Sequence, residues 1–126
     1  MQSDRPVYLN IINLAMALPL AGIVSFAHRI TGIVLFFGIG FGLYALQMAL
    51  SSPEGFAAAT ALLAEPLPKF IMLALVFVLT LHILAGIKHL LLDFHVGDSL
   101  TAARLGAQIV VVLTVIVTAV LGALLW

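Results

Sequence analysis

Residues 70–87 read FIMLALVFVLTLHILAGI and contain no charged side chain, while Lys69 and Lys88 stand on either side. An α-helix needs about 20 largely apolar residues to cross the hydrocarbon core of a membrane. The stretch therefore predicts a transmembrane helix. Its polar side chains, Thr80 and His82, are costly in lipid and so are candidates for a functional role.

The composition of the whole chain indicates the same class of protein. Of its 126 residues, 64% are hydrophobic and 8% are charged, whereas soluble domains are about half apolar and a quarter charged. Because so few charged residues cannot cover a water-facing surface, we predict an integral membrane protein. The formal net charge of zero gives no indication of nucleic-acid binding. The absence of cysteine excludes disulfides, thiolate-ligated haem and an iron–sulfur cluster held by this chain.

Two further stretches, residues 30–50 and 105–126, are also long and apolar enough to cross a membrane. We predict an all-α protein with a single membrane-anchor domain over residues 1–126. Its parts are an interfacial segment and three transmembrane helices, at residues 1–19, 20–50, 68–93 and 103–126. Pro19 suits the start of the first helix. Residues 51–67 are predicted to form a loop because turn-forming residues stand at both ends.

Basic residues flank the predicted helices unequally. One side carries four of them, at Arg5, Arg29, Lys88 and Arg104, and the other side carries only Lys69. Basic residues near the ends of transmembrane helices favour the inner side of the membrane. We therefore expect the N-terminus and the loop before the third helix inside, and the C-terminus outside.

His82 is the deepest ionisable residue in the second predicted helix. It lies six residues before Lys88, about 9 Å inside the inner end of the helix. A neutral imidazole at that depth can ligate a haem iron through one ring nitrogen. It can equally form a hydrogen bond to a neighbouring helix, which needs no cofactor, so its position alone leaves both interpretations open.

Further polar residues follow His82 on the same helix. His89 comes two turns later and so falls on nearly the same face. Gly86, between them, leaves room for a flat ring or for close packing of another helix. Lys88 is either an anchor whose ammonium reaches the interface or part of a functional cluster. Asp93 either fixes the tautomer of His89 or makes a contact at the helix end.

A second polar cluster opens the first predicted helix, at residues 25–32. Ser25 and Arg29 are four residues apart and so share one helix face. Their hydroxyl and guanidinium groups could stabilise haem propionates or a quinone carbonyl oxygen at the inner edge of the membrane. Anchoring by positive charge explains Arg29, but it explains neither Ser25 nor His28.

The depth of the histidines limits the number of haem ligands that this chain can supply. Of its four histidines, only His82 lies deep, because His28, His89 and His95 stand at or beyond the interface. A six-coordinate bis-histidine haem therefore needs its second ligand from another chain. If His82 ligates a haem, this chain therefore supplies half of the site.

Two motifs resemble those of the cytochrome b subunits of succinate dehydrogenase. Arg5-Pro6 followed by SFAHRITG at residues 25–32 is similar to the first signature of this family. The sequence HILAGIKHLLLD at residues 82–93 is similar to the second, with Lys88 where the family usually has arginine. SSPEGF at residues 51–56 also resembles bacterial members, so the resemblance covers nearly the whole chain.

The resemblance implies a subunit that passes electrons from succinate to ubiquinone in the inner membrane of a bacterium, within respiratory electron transport and the tricarboxylic acid cycle. With the orientation predicted from the basic residues, the N-terminus would lie in the cytoplasm and the C-terminus in the periplasm. The implied partners are a second membrane anchor, an iron–sulfur subunit, a flavoprotein subunit and membrane lipid. The chain would be half of a heterodimeric helix bundle, and one haem b would lie between the two anchors, with one axial histidine from each.

The resemblance also implies roles for individual residues. It assigns His82 as the axial iron ligand, Ser25 and Arg29 to the quinone site, and His28, Arg29 and His89 to contacts with the haem propionates. The succinate chemistry would lie on partner subunits, so this chain is expected to hold no catalytic residue for it. The alternative is a haem-free structural anchor of a respiratory complex. His82 separates the two hypotheses, because a purely structural anchor does not require it.

Overall fold

The computed structural model describes residues 19–126. The interfacial segment predicted before Pro19, with Arg5 and Pro6 of the first motif, lies outside the described residues. The described residues form four α-helices, and no β-strand occurs between residues 19 and 126. In chain order the helices are α1 (Leu20–Ser51), α2 (Pro53–Ala64), α3 (Pro66–Asp93) and α4 (Leu100–Leu125).

The helices α1, α3 and α4 are each long and apolar enough to cross a membrane, which confirms the predicted fold class. They contain 32, 28 and 26 residues. At 1.5 Å per residue they are about 39–48 Å long, which exceeds the hydrocarbon thickness of about 30 Å. The helices therefore tilt or extend into the headgroup layer. Pro19 directly precedes α1, with an extended backbone.

The prediction of a loop at residues 51–67 was wrong for its central part, which forms α2. Ser52 caps this helix by accepting a hydrogen bond from the backbone N–H of Gly55 at 3.0 Å, and Pro53 occupies the first turn. Both residues are typical of a helix start, and the alanine-rich sequence that follows has high helix propensity. Hydrogen bonds from its own backbone N–H and from the Ser52 side chain lower the pKa of Glu54 from its ordinary value.

The connection between α3 and α4, and the contacts at their far ends, show how these two helices are oriented. The turn between them contains His95 and Gly97, both with positive φ. At the opposite end, the indole of Trp126 lies 5.1 Å from the ring of Phe70 and 4.9 Å from Nζ of Lys69. The helices α3 and α4 are therefore antiparallel. We call the end with the α3–α4 turn, where α1 also begins, the turn end.

The three long helices share a small buried core. The helix α3 packs against both α1 and α4, and α1 also touches α4. The core residues are Val24 of α1, Ala85 of α3, and Ala107 and Val110 of α4. Ala85 and Ala107 have an exposed fraction of 0%, and such small side chains let helix backbones approach closely in membranes. The core therefore lies directly beside the polar residues of the two motifs.

Candidate functional site

Three histidine rings from two helices meet at the turn end. His28 comes from α1, and His82 and His89 come from α3. The rings of His28 and His82 stack, with centroids 4.1 Å apart and planes 15° apart. The rings of His28 and His89 meet edge to face, with centroids 5.1 Å apart. All three residues are half-buried, so the candidate iron ligand and two candidate propionate contacts lie side by side.

The imidazole of His82 is held by α1. Its Nδ1 lies 3.1 Å from the backbone oxygen of His28 and 3.0 Å from Oγ1 of Thr31. A carbonyl oxygen only accepts hydrogen bonds, so the contact with His28 requires a proton on Nδ1. A neutral imidazole carries a single ring proton, which leaves Nε2 with the lone pair that binds a metal. No hydrogen bond from Nε2 occurs within the described part of the chain.

Two glycines determine how closely the rings approach the helix backbones. A Cβ atom at Gly32 would lie 3.2 Å from Cε1 of His82, and one at Gly86 would lie 3.3 Å from Nε2 of His28. Both distances are tight for a carbon contact, so a larger residue at either position would displace a ring. The flat group that lies over Gly86 in this structure is the imidazole of His28.

Ser25 and Arg29 lie one turn apart at the same end of α1 as His28. Ser25 is half-buried and Arg29 is exposed. Across residues 19–126, the side chains of Ser25 and Arg29 form no hydrogen bond or ion pair with other side chains.

The other polar residues in and directly after the second motif lie outside the histidine cluster. The aliphatic part of Lys88 lies along α4, where a Cβ atom at Gly106 would be 3.4 Å from Cε of the lysine. Asp93 is exposed at the end of α3, and in the described residues no hydrogen bond joins it to His89. His95 is exposed in the turn, with Nδ1 3.8 Å from a carboxylate oxygen of Asp98. None of these three side chains belongs to the histidine cluster.

Sequence reasoning gave Thr31 no role of its own, although its hydroxyl contacts His82. The available signal was its spacing, because a hydroxyl three residues after His28 can reach the carbonyl oxygen of that residue. The distance between these atoms is 2.9 Å. The bond from His82 to the same carbonyl has no signal in the sequence, since every residue has a backbone carbonyl.

Comparison with known proteins assigns the chain to a family. A family model for the succinate dehydrogenase/fumarate reductase transmembrane subunit matches residues 1–121. The chain belongs to this family. It is 32% identical to the succinate dehydrogenase cytochrome b556 subunit of Coxiella burnetii, over the full length of both proteins. It is 36% identical to the subunit of that name from Paracoccus denitrificans, over 72% of this chain and 70% of the relative.

The family and the fold together confirm the identity that the two motifs indicate. A succinate dehydrogenase/fumarate reductase transmembrane subunit with three apolar helices is a multi-pass membrane protein. Membership of this family also makes the chain part of an oxidoreductase complex that contains other subunits.

Proposed function

We propose that this transmembrane subunit binds one haem b, shared with a second membrane anchor, and that His82 is an axial ligand of the iron. The observation that carries the proposal is the hydrogen bond from Nδ1 of His82 to the carbonyl of His28, because it leaves Nε2 with the lone pair. The relatives named cytochrome b556 subunit support a b-type haem. When bound, haem b supplies a one-electron carrier within the membrane.

The residues around His82 fit such a group. Gly32 and Gly86 present no side chain, and the rings of His82 and His28 lie against them, so the two imidazoles are held close to the helix backbones. Leu81 and Leu84, which flank His82 along α3, pack against the apolar core and give the ring apolar surroundings. A metal-ligating histidine usually donates its other ring N–H to a carbonyl, carboxylate or water, and His82 has this arrangement with His28.

We assign the contacts with the haem propionates to His28, Arg29 and His89. Ring N–H groups and a guanidinium are donors that stabilise carboxylates through charge-assisted hydrogen bonds. The edge-to-face contact of His28 with His89 supports a single location for these carboxylates, at the turn end. Arg29 is exposed at the same end of α1 and contributes a permanent positive charge.

The second ligand to the iron would come, in this proposal, from the partner anchor. A second histidine ligand would have to point a ring nitrogen toward the iron that Nε2 of His82 would hold. His28 instead lies face to face with His82, with the two planes 15° apart. A ring stacked in this way would not supply the second ligand to an iron held by His82.

Ser25 and Arg29 form this chain's part of a ubiquinone-reduction site. The hydroxyl of Ser25 donates a hydrogen bond to a quinone carbonyl oxygen and orients the ring. The guanidinium of Arg29 stabilises the negative charge that develops on this oxygen as the quinone is reduced. Protons reach the quinone from the aqueous phase at the turn end. The oxidation of succinate takes place on the flavoprotein and iron–sulfur subunits, which contact the membrane anchors on that side.

The turn end faces the cytoplasm of a bacterium in this proposal. Arg29, Lys88 and Arg104 all lie toward this end of the bundle, whereas Lys69 lies at the opposite end beside Trp126. This asymmetry supports an N-terminus in the cytoplasm and a C-terminus in the periplasm, because basic residues favour the inner side.

Haem quantitation in the complex, purified in mild detergent from its native membrane, tests the proposal. We expect one haem b for each copy of this chain. An intact complex that reduces quinone without any haem would contradict the role of His82. It would favour the haem-free anchor, in which the stacking of His28 on His82 is packing alone. Two haems for each copy would contradict a single shared group.

A further inference from the structure

Thr31 lies where α1 meets the imidazole of His82. Its exposed fraction is 7%, so its hydroxyl is removed from water. Oγ1 is 2.9 Å from the carbonyl oxygen of His28 and 3.0 Å from Nδ1 of His82, which is itself 3.1 Å from that carbonyl. Three polar atoms from two helices thus form one closed triangle of hydrogen bonds.

The chemistry of the three atoms fixes the direction of each bond. The carbonyl of His28 can only accept, so it accepts from the hydroxyl of Thr31 and from Nδ1–H of His82. The single proton of the hydroxyl is then used, and Oγ1 accepts from Nδ1–H through a lone pair. The opposite tautomer would direct the lone pair of Nδ1 toward the carbonyl oxygen at 3.1 Å, with no proton between them.

The backbone next to Thr31 restricts the same ring from another side. A Cβ atom at Gly32 would lie 3.2 Å from Cε1 of His82, so α1 is in close contact with the ring edge at this point. The imidazole is therefore held by hydrogen bonds at Nδ1 and by contact at Cε1. Rotation of the ring would break the hydrogen bonds at Nδ1 or push Cε1 against the backbone of α1 at Gly32.

We propose that Thr31 is a positioning residue, which fixes the tautomer and the ring plane of His82 and raises the electron density at Nε2. This inference rests on the proposed function, in which Nε2 of His82 ligates iron. Outer partners of a metal ligand act in this way because a hydrogen bond accepted from the distal N–H makes the ring a more basic ligand.

The test compares Thr31→Val, which removes the hydroxyl but nearly keeps the shape, with Thr31→Ser, which keeps a hydroxyl. We expect Thr31→Val to weaken haem retention in the purified complex by about tenfold. We also expect a higher midpoint potential, because a less basic ligand stabilises ferric iron less, and altered low-spin electron paramagnetic resonance g-values as the ring plane relaxes. Thr31→Ser should restore all three properties toward those of the unmodified complex.

Thr114→Val is the matched control. Thr114 is also buried, but its hydroxyl donates to the carbonyl of Val110 in its own helix at 2.7 Å. We expect this variant to keep the potential and the g-values of the unmodified complex. If Thr31→Val does not assemble, Thr31→Ala is measured by the same criteria.

The outcomes separate this inference from the proposed function. Absence of haem from the unmodified complex would overturn both. Haem in the unmodified complex, with unchanged retention, potential and g-values in Thr31→Val or Thr31→Ala, would overturn the role of Thr31 and leave that of His82 intact. Equal changes in Thr31→Val and Thr114→Val would also overturn it, because the effect would then be one of general packing.

Discussion

Some polar side chains of the long helices form hydrogen bonds within their own helix, and others form hydrogen bonds to a second helix. Thr80 and Thr114 donate to carbonyls one turn earlier in their own helices, at 2.8 and 2.7 Å. Within the described chain, the side-chain hydrogen bonds that join two helices are those of His82 with Thr31 and His28. An unsatisfied polar group in hydrocarbon costs several kcal/mol, so these bonds stabilise the pairing of α1 with α3 while they orient the ring.

Ser25 allows a test of the proposed quinone site through a single hydroxyl group. We expect Ser25→Ala to lower the rate of ubiquinone reduction by about three- to tenfold, as expected for the loss of one neutral hydrogen bond. Succinate oxidation with a soluble artificial acceptor should stay unchanged, because that reaction does not use the membrane site. Steady-state assays of both activities in the same preparation measure this difference.

Ser51→Ala is the control for this experiment. Ser51 also lies on α1, but at the opposite end, where its hydroxyl donates to the carbonyl of Met48 at 2.7 Å. It should leave both activities unchanged. Parallel loss of both activities in Ser25→Ala would indicate a defect of assembly and would contradict a role of Ser25 in quinone binding.

At the scale of the helices, Gly38 of α1 lies where the side chain of Leu75 of α3 comes closest to the backbone of α1. A Cβ atom at Gly38 would overlap the side chain of Leu75, whereas one at Gly40 would meet nothing within 4 Å. We expect Gly38→Val to destabilise the bundle by about 1–3 kcal/mol, as overpacking does, and to lower the thermal midpoint of the complex. Gly40→Val is the control, because it changes the helix propensity of α1 in the same way as Gly38→Val but adds a side chain that meets no neighbour in this chain. Equal midpoints for the two variants would contradict close packing of α1 on α3 at Gly38.

The sequence allowed prediction of some elements better than others. The helices α1, α3 and α4 could be predicted because a helix that crosses the membrane needs about 20 largely apolar residues, and such stretches stand out in the sequence. The helix α2 was missed because Ser52, Pro53 and Gly55 occur in turns as readily as at a helix start. What decides between them is the cap that Ser52 forms with the N–H of Gly55, which depends on backbone geometry.

The candidate site shows the same division between side-chain pattern and geometry. The depth of His82 and its spacing from His89 are properties of one helix, so they could be predicted. The stacking of His28 on His82 and the bond to the carbonyl of His28 depend on how α1 is rotated against α3. This rotation is set by the packing of small residues such as Ala85, and no periodicity in either helix encodes it directly.

At the scale of the whole molecule, most of the apolar surface faces outward. Within the most apolar part of each long helix, only 6%, 6% and 11% of the residues are buried by this chain. Phe36, Phe37 and Leu124 are among the large side chains that are more than 70% exposed. In lipid such exposure has no hydrophobic cost, and it leaves broad surfaces for contact with membrane lipid and with other subunits.

The most direct test of the central claim is a reduced-minus-oxidised absorption spectrum of the native complex that carries His82→Leu. The matched control is His95→Leu, which replaces an exposed histidine in the turn after α3. We predict that the b-type signal disappears in His82→Leu and persists in His95→Leu, with assembly of the subunits retained in both. A b-type signal that persists in His82→Leu would contradict the assignment of this histidine as the haem ligand.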